Sequence, residues 1–153
     1  MIEGVSELYF AYGSNMSRAR LIARVPGAGQ AGIARLEGFE LRFDKPGRDG
    51  TAKANLVPAA GRVVWGVVWT VAALDWTALD AFEPGYERVS LDVVDAGERA
   101  RRAQSYLYRG PRLAEPPLRE YAVHLLDGAR EHGLPEDYVR ELAALCGWAP
   151  PAR

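Results

Sequence analysis

The sequence predicts an α+β fold: a curved, mainly antiparallel sheet or small barrel with helices at its ends and flank. Three observations lead there. Strand-like runs recur between Leu8 and Tyr108, separated by turn residues. One of them, Val63-Val64-Trp65-Gly66-Val67-Val68-Trp69, is apolar on both faces, which demands burial on both sides or closure into a barrel. Beyond Pro117 the apolar residues adopt helical spacing instead, which places helices against the sheet.

In chain order, Leu8-Tyr9-Phe10-Ala11-Tyr12 is a buried strand halted by Gly13. Asn15 or Ser17 can then cap a short helix over Arg18 to Val25, which stops at Pro26-Gly27. Ile33 to Phe43 forms a strand, kinked near Gly38, and Gly47 to Gly50 is a loop. Ala54 to Val57 and Val63 to Val71 read as two further strands. Leu74, Ala78 and Phe82, with Leu79 beside them, predict a short helix ended by Pro84-Gly85. Val89, Leu91 and Val93 alternate as a strand, and Ala96-Gly97-Glu98 turns it into a return strand from Arg99 to Tyr108. A Pro-rich loop, Pro111 to Pro117, precedes a helix with Leu118, Tyr121, Ala122, Leu125, Leu126 and Ala129 on one stripe, ended by Gly133. Pro135 opens a last helix whose Glu136 and Asp137 complement the N-terminal dipole.

Composition narrows the function classes. The chain has 153 residues and no linker or repeat, so residues 1–153 are expected to form a single domain. A formal net charge of −1 gives no overall basic field for nucleic acid or a membrane surface. The cations are 17 arginines against two lysines. The run Arg99, Arg101, Arg102 reads as a solvated strand with charges turned off the core rather than as a nucleic-acid patch. Cys146 is the only cysteine, so no internal disulfide can form, and a reducing compartment fits. Met1 to Glu7 lacks the basic and apolar regions of a signal peptide, and no apolar run reaches membrane-spanning length. A cytoplasmic location is therefore expected.

Common catalytic frameworks do not fit. His124 and His132 are isolated, with no metal-ligand spacing, so no metal is expected. Cys146 reads as a small apolar packer, and Ser14 is outside any G-x-S-x-G elbow. No P-loop and no G-x-G-x-x-G is present. Two features remain. A strand runs into Gly13-Ser14-Asn15 and then a helix, a corner whose N–H groups can hold a carboxylate, phosphate or carbonyl oxygen or can be a plain turn. Glu83 ends a helix beside Phe82 and just before Pro84-Gly85, where an acid opposes the dipole. An apolar setting would raise its pKa into the range useful for proton transfer; the alternative is an exposed acid on a frayed turn.

Leu8-Tyr9-Phe10-Ala11-Tyr12-Gly13-Ser14-Asn15-Met16 resembles the opening strand and Y-G-S-N loop of the γ-glutamylcyclotransferases. Further stretches resemble the family in the same order: Ile33-Ala34-Arg35-Leu36 with Phe39, Val64 to Trp69, Leu79-Asp80 with Glu83, Ser105-Tyr106-Leu107, and Gly128 to Pro135. The resemblance runs from about Leu8 to Leu145. It implies a small, mainly antiparallel β-barrel with flanking helices and a cavity at one end. It implies Glu83 as acid/base, the segment Tyr9, Phe10, Ala11, Tyr12, Gly13, Ser14 and Asn15 as the binder of the γ-glutamyl group, and Tyr86, Tyr106 and Tyr121 as pocket tyrosines. Two stretches depart from the family pattern: Glu83-Pro84-Gly85-Tyr86 is shorter than the usual glutamate-to-tyrosine spacing, and the loop between Asp44 and Asn55 is not a close match.

The implied reaction fits the inventory of side chains. The substrate's own α-amine attacks its γ-carbonyl to close 5-oxoproline, so neither an enzyme nucleophile nor a cofactor is required, and one carboxylate can move the protons. The expected partner is a small γ-glutamyl molecule, with no nucleic acid and no membrane. Because the family contains dimers, a homodimer with Trp148 packed or in the interface is a further expectation. Two other readings stay open from sequence: a γ-glutamyl-amine or maturation-type cyclotransferase on a larger acceptor, and a non-catalytic ligand-binding module of the same fold.

Overall fold

The computed structural model describes residues 6–113 and 117–147. Five strands close into a barrel in the order β1-β3-β2-β4-β5. They are β1 (Ser6–Ala11), β2 (Gly29–Pro46), β3 (Ala52–Ala72), β4 (Glu87–Asp95) and β5 (Ala100–Leu107). Every pairing is antiparallel except the seam, where β1 meets β5 in parallel at Tyr9 and Gln104. Val64, Val67, Trp69 and Val71 are all 0% exposed, so the segment apolar on both faces is buried on one by barrel closure and on the other by packed elements such as the one ending at His132, whose ring meets Trp69.

The long β2–β3 ribbon departs from the sequence expectation. The two strands expected at Ala54 to Val57 and Val63 to Val71 are one bent strand of 21 residues. Pairing passes from Glu37↔Val63 to Phe39↔Pro58, so four residues of β3 bulge against Gly38 alone. Gly38 (φ +84) and Gly61 (φ +78) adopt the left-handed backbone that this kink needs. The kink divides the ribbon. Its lower half belongs to the barrel, while residues 39–46 and 52–58 form an arm that reaches the barrel's open end.

Four helices flank the barrel: α1 (Arg18–Arg24), α2 (Trp76–Ala81), α3 (Arg119–Glu131) and α4 (Glu136–Leu145). Ser17 caps α1 by accepting from the Arg20 N–H. On α3 the expected stripe is buried through Tyr121, Ala122, Leu125, Leu126 and Ala129, whereas Leu118 lies before the helix and is exposed. The stripe expected for α2 is not the buried face. Leu74 is 93% exposed and Phe82 is 47% exposed, while Trp76 and Leu79 point inward. The reason is that α2 has only six residues and follows a 3-10 turn at Ala73–Asp75, so a 3.6-residue period cannot run from Leu74. The Arg99-to-Arg102 run is exposed, and Asp92 and Asp95 meet its charges. Trp148, and part of the Pro111-to-Pro117 loop, lie outside the described residues.

Candidate active site

β1 ends by turning through Gly13 into a 3-10 turn, Ser14–Met16, directly before α1. An added Cβ at Gly13 would lie 3.1 Å from the Tyr121 hydroxyl and 3.3 Å from Ala54 Cβ, so a side chain here would have to push α3 or the ribbon arm back by a few tenths of an ångström. Gly128 does the same from the α3 side, where an added Cβ would come within 2.5 Å of the Met16 and Ser17 backbone. Ser14 and Asn15 are consequently buried although they sit in a connection between elements.

The corner, the end of α2, the ribbon arm and β5 enclose a cavity of about 280 Å³. Tyr9, Tyr12, Gly13, Ser14 and Asn15 line it from the β1 side. Glu83 and Tyr86, in the turn between α2 and β4, converge on it with Tyr106 of β5 and Tyr121 of α3. The short Glu83-to-Tyr86 spacing does not keep Tyr86 out, because Gly85 (φ +84) turns the chain back and the Tyr86 hydroxyl donates to the Ala54 carbonyl at 2.6 Å. Phe10 and Ala11 are not in the wall; they are 0% and 1% exposed and belong to the barrel core. Strand side chains alternate, so Phe10 points away from the Tyr9 face and covers Gly66. Ala11 offers only a methyl group.

Glu83 is the chemical centre of the cavity. Asn15 Nδ2 donates to Glu83 Oε1 at 2.8 Å and to the Tyr9 hydroxyl at 3.0 Å. Arg24 Nη1 donates to Asn15 Oδ1 at 3.1 Å and lies 3.9 Å from Glu83 Oε1. Burial pushes the Glu83 carboxyl up from its ordinary 4.5 to about 7, against the opposing pull of Arg24, Lys45 and Arg20 and of the Asn15 hydrogen bond. Burial likewise holds Tyr9, Tyr12 and Tyr86 well above the usual phenol range, so they stay neutral. The Tyr106 hydroxyl donates to Asp80 at 2.6 Å, and Tyr12 donates to the Tyr106 carbonyl at 2.5 Å.

Tyr121 is differently placed. Its oxygen accepts from the Ala54 N–H at 3.0 Å and is also approached by the Ser14 N–H. With its lone pairs engaged, its own proton is left to donate. Its pKa is pushed up to about 12, chiefly by burial.

Sequence reasoning missed the cations. Arg20, Arg24, Lys45, Arg48 and Lys53 line the cavity, against only Glu83 and Asp49 as carboxylates. Arg20 and Arg24 lie on α1, where the sequence shows only an ordinary polar face, and Arg48 lies at the tip of the ribbon arm. The lysines lie in the segment that departs from the family pattern. Among the described residues, no group of three or more His, Cys, Asp or Glu side chains is placed to hold a metal ion. No described helix is long and apolar enough to cross a membrane. The His132 and Trp69 rings pack edge to face at a centroid separation of 5.2 Å, and His132 does not line the cavity. Cys146 packs on the core with its thiol pushed up by burial to about 11, which suits a packer and not a nucleophile.

Comparison with known proteins agrees with this architecture. Residues 63–142 match the AIG2-like family. The chain is 33% identical to the gamma-glutamylcyclotransferase of Mus musculus over 152 positions, covering 94% of this chain and 80% of the relative. It is 33% identical to the gamma-glutamylcyclotransferase of Homo sapiens over 149 positions, covering 92% of this chain and 79% of the relative. A solved structure titled gamma-glutamyl cyclotransferase superposes with a TM-score of 0.86 at 30% identity, covering 97% of this chain and 91% of that one. With the same barrel and a third of its residues shared along nearly its whole length, the chain belongs to the γ-glutamylcyclotransferase family.

Proposed function

We propose that this protein is a γ-glutamylcyclotransferase that converts γ-glutamyl amino acids or peptides into 5-oxoproline and the free amine, with Glu83 as the acid/base. The observation that carries the assignment to Glu83 is its carboxyl, held by Asn15 in the wall of the cavity with its pKa raised to about 7. A proton-transfer group works best when its pKa lies near the working pH.

The substrate's α-amine arrives mostly as ammonium. Glu83 removes one proton, the amine nitrogen bonds to the γ-carbonyl carbon, and the carbonyl π pair moves to oxygen. Tyr121, with its proton free to donate, is the neutral donor best placed to meet that oxyanion, and the Ser14 N–H orients it. Collapse of the tetrahedral species breaks the bond to the leaving nitrogen, which takes the proton that Glu83 holds, and the new ring nitrogen gives its second proton to the regenerated carboxylate, leaving the neutral lactam of 5-oxoproline. Ring closure within one bound molecule can remove roughly 7–11 kcal/mol of barrier when the reacting atoms are held in a productive conformer. Tyr9, Tyr12, Tyr86 and Tyr106 supply the rigid walls, and the five cavity cations suit an anionic substrate.

The same reading extends to residues 1–153 acting as one domain, to a cytoplasmic setting and to a homodimer; light scattering on the purified protein tests the last. The decisive experiment incubates wild type and Glu83→Gln with a panel of γ-glutamyl dipeptides and amines and quantifies 5-oxoproline by mass spectrometry. Product from wild type and none from a folded Glu83→Gln is the expected result. Equal product from both would remove Glu83 from the mechanism.

A further inference from the structure

The two lysines of this arginine-rich chain meet at one place. Lys45, near the end of β2, and Lys53, near the start of β3, are direct cross-strand partners on the ribbon arm. Like charges directly opposed on paired strands repel, so the arrangement works against the fold. Lys53 is compensated by Asp49 at 3.2 Å. Lys45 is not. It is 7% exposed, lines the cavity, and has no ion pair or hydrogen bond among the described residues. Its ammonium lies 4.9 Å from the centroid of the Tyr86 ring and against the Gly85 turn. A ring face stabilises a cation only in part and leaves its N–H donors unsatisfied. Burial accordingly holds the Lys45 pKa below the usual lysine range.

A buried ammonium with no hydrogen bond or ion pair calls for an anion in contact with it, and Glu83 attracts it only through space. Two carboxylates of a γ-glutamyl amino acid could provide it. The glutamyl carboxylate shares a carbon with the reacting amine and therefore stays beside Glu83 and the corner after β1, where Arg20 and Arg24 line the wall. Lys45 and Lys53 belong to the ribbon arm, next to the exposed tip at Arg48 to Gly50. That side of the cavity opens outward, where the departing group must leave.

We propose that Lys45, flanked by Lys53, forms a carboxylate subsite for the leaving group, which makes the enzyme selective for γ-glutamyl amino acids over γ-glutamyl amines that carry no carboxylate. The inference rests on the cyclotransferase reading. Lysine suits the role because a compact ammonium can meet a carboxylate on leaving groups of different shape, whereas a guanidinium fork demands one geometry.

The test compares γ-glutamyl-alanine with γ-glutamyl-alaninamide, which differ only in that carboxylate, on wild type, Lys45→Met, Lys45→Arg and Lys53→Met. Wild type should prefer the free acid. In Lys45→Met the ratio of kcat/KM for acid over amide should fall roughly 10- to 100-fold, the range for losing one hydrogen bond to a charged group, chiefly through KM. Lys45→Arg should keep most of the preference. Lys53→Met, at a more open position, guards against misfolding of the Lys45 variant and should lower the ratio in the same direction by less. A wild type without preference, or variants that lose both substrates equally, would overturn the subsite while leaving the cyclotransferase reading intact. No turnover of either substrate by wild type would overturn both.

Discussion

The side-chain amide of Asn15 donates a 2.8 Å hydrogen bond to Glu83 Oε1, joining the corner after β1 to the end of α2. The same nitrogen holds the Tyr9 hydroxyl, and Asn15 Oδ1 accepts from Arg24. One amide therefore orients the carboxyl proposed as the base and links it to the Arg24 guanidinium. Asn15→Ala removes a bond that favours the charged carboxylate, and kcat/KM at pH 7 should fall roughly 10- to 100-fold. Asn15→Asp sets a second carboxylate against Glu83 and should also move the acidic limb of the pH profile upward. Steady-state profiles of both variants check this, and unshifted limbs would show that the contact does not tune the base.

With the Glu83 pKa at about 7, the base form is lost on acidification. The logarithm of kcat/KM should fall with unit slope below about pH 7 and flatten above it. Continued full activity down to pH 5 would show that the carboxyl titrates like an ordinary exposed glutamate.

Arg24 opposes the upward push of burial on Glu83 more strongly than any other neighbour. Arg24→Gln should therefore carry the acidic limb above 7, whereas a purely structural role would lower activity without moving it. Arg24 also caps the Phe82 ring at 5.1 Å, so thermal unfolding of the variant should be measured alongside.

The raised carboxyl has a stability consequence of opposite sign to that of a salt-bridged acid. Between its ordinary 4.5 and about 7 the folded protein keeps a proton that the unfolded chain releases, so stability falls as pH rises through this window. The full shift corresponds to roughly 3 kcal/mol. Glu83→Gln, which cannot ionise, should gain stability over wild type at pH 8 and gain little at pH 4. Urea unfolding at the two pH values reads this directly.

Gly128 lies inside α3, where alanine would ordinarily favour the helix by about 1 kcal/mol. Here an added Cβ meets the Met16 and Ser17 backbone at 2.5 Å, so Gly128→Ala should instead destabilise by about 1–3 kcal/mol and displace the corner that carries Asn15. Loss of both melting temperature and kcat is expected; an unchanged melting temperature would contradict the close approach.

Much of this protein was legible in sequence because the signals are local. The aromatic run halted by Gly13, the alternation of Val89, Leu91 and Val93, and the stripe on α3 each record which face of an element meets the core. The position of Glu83 after a short helix left an exposed acid and a buried one both open, and the resemblance to the family singled it out. Periodicity misled at Leu74, Ala78 and Phe82, where the helix is too short to sustain a period, and at Pro58 to Gly61, where a bulge resembles a break. Tertiary structure alone decided the rest. The Asn15 bond to Glu83 spans 68 positions, and the approach of Tyr121 to Ala54 spans 67. Lys45 lacks an ion-pair partner because the ribbon arm lies over the cavity with Glu83 acting on it only through space. Such facts depend on which distant groups share a small volume from which water is excluded. Burial sets the pKa of Glu83, and burial is a property of the packed chain rather than of any segment within it.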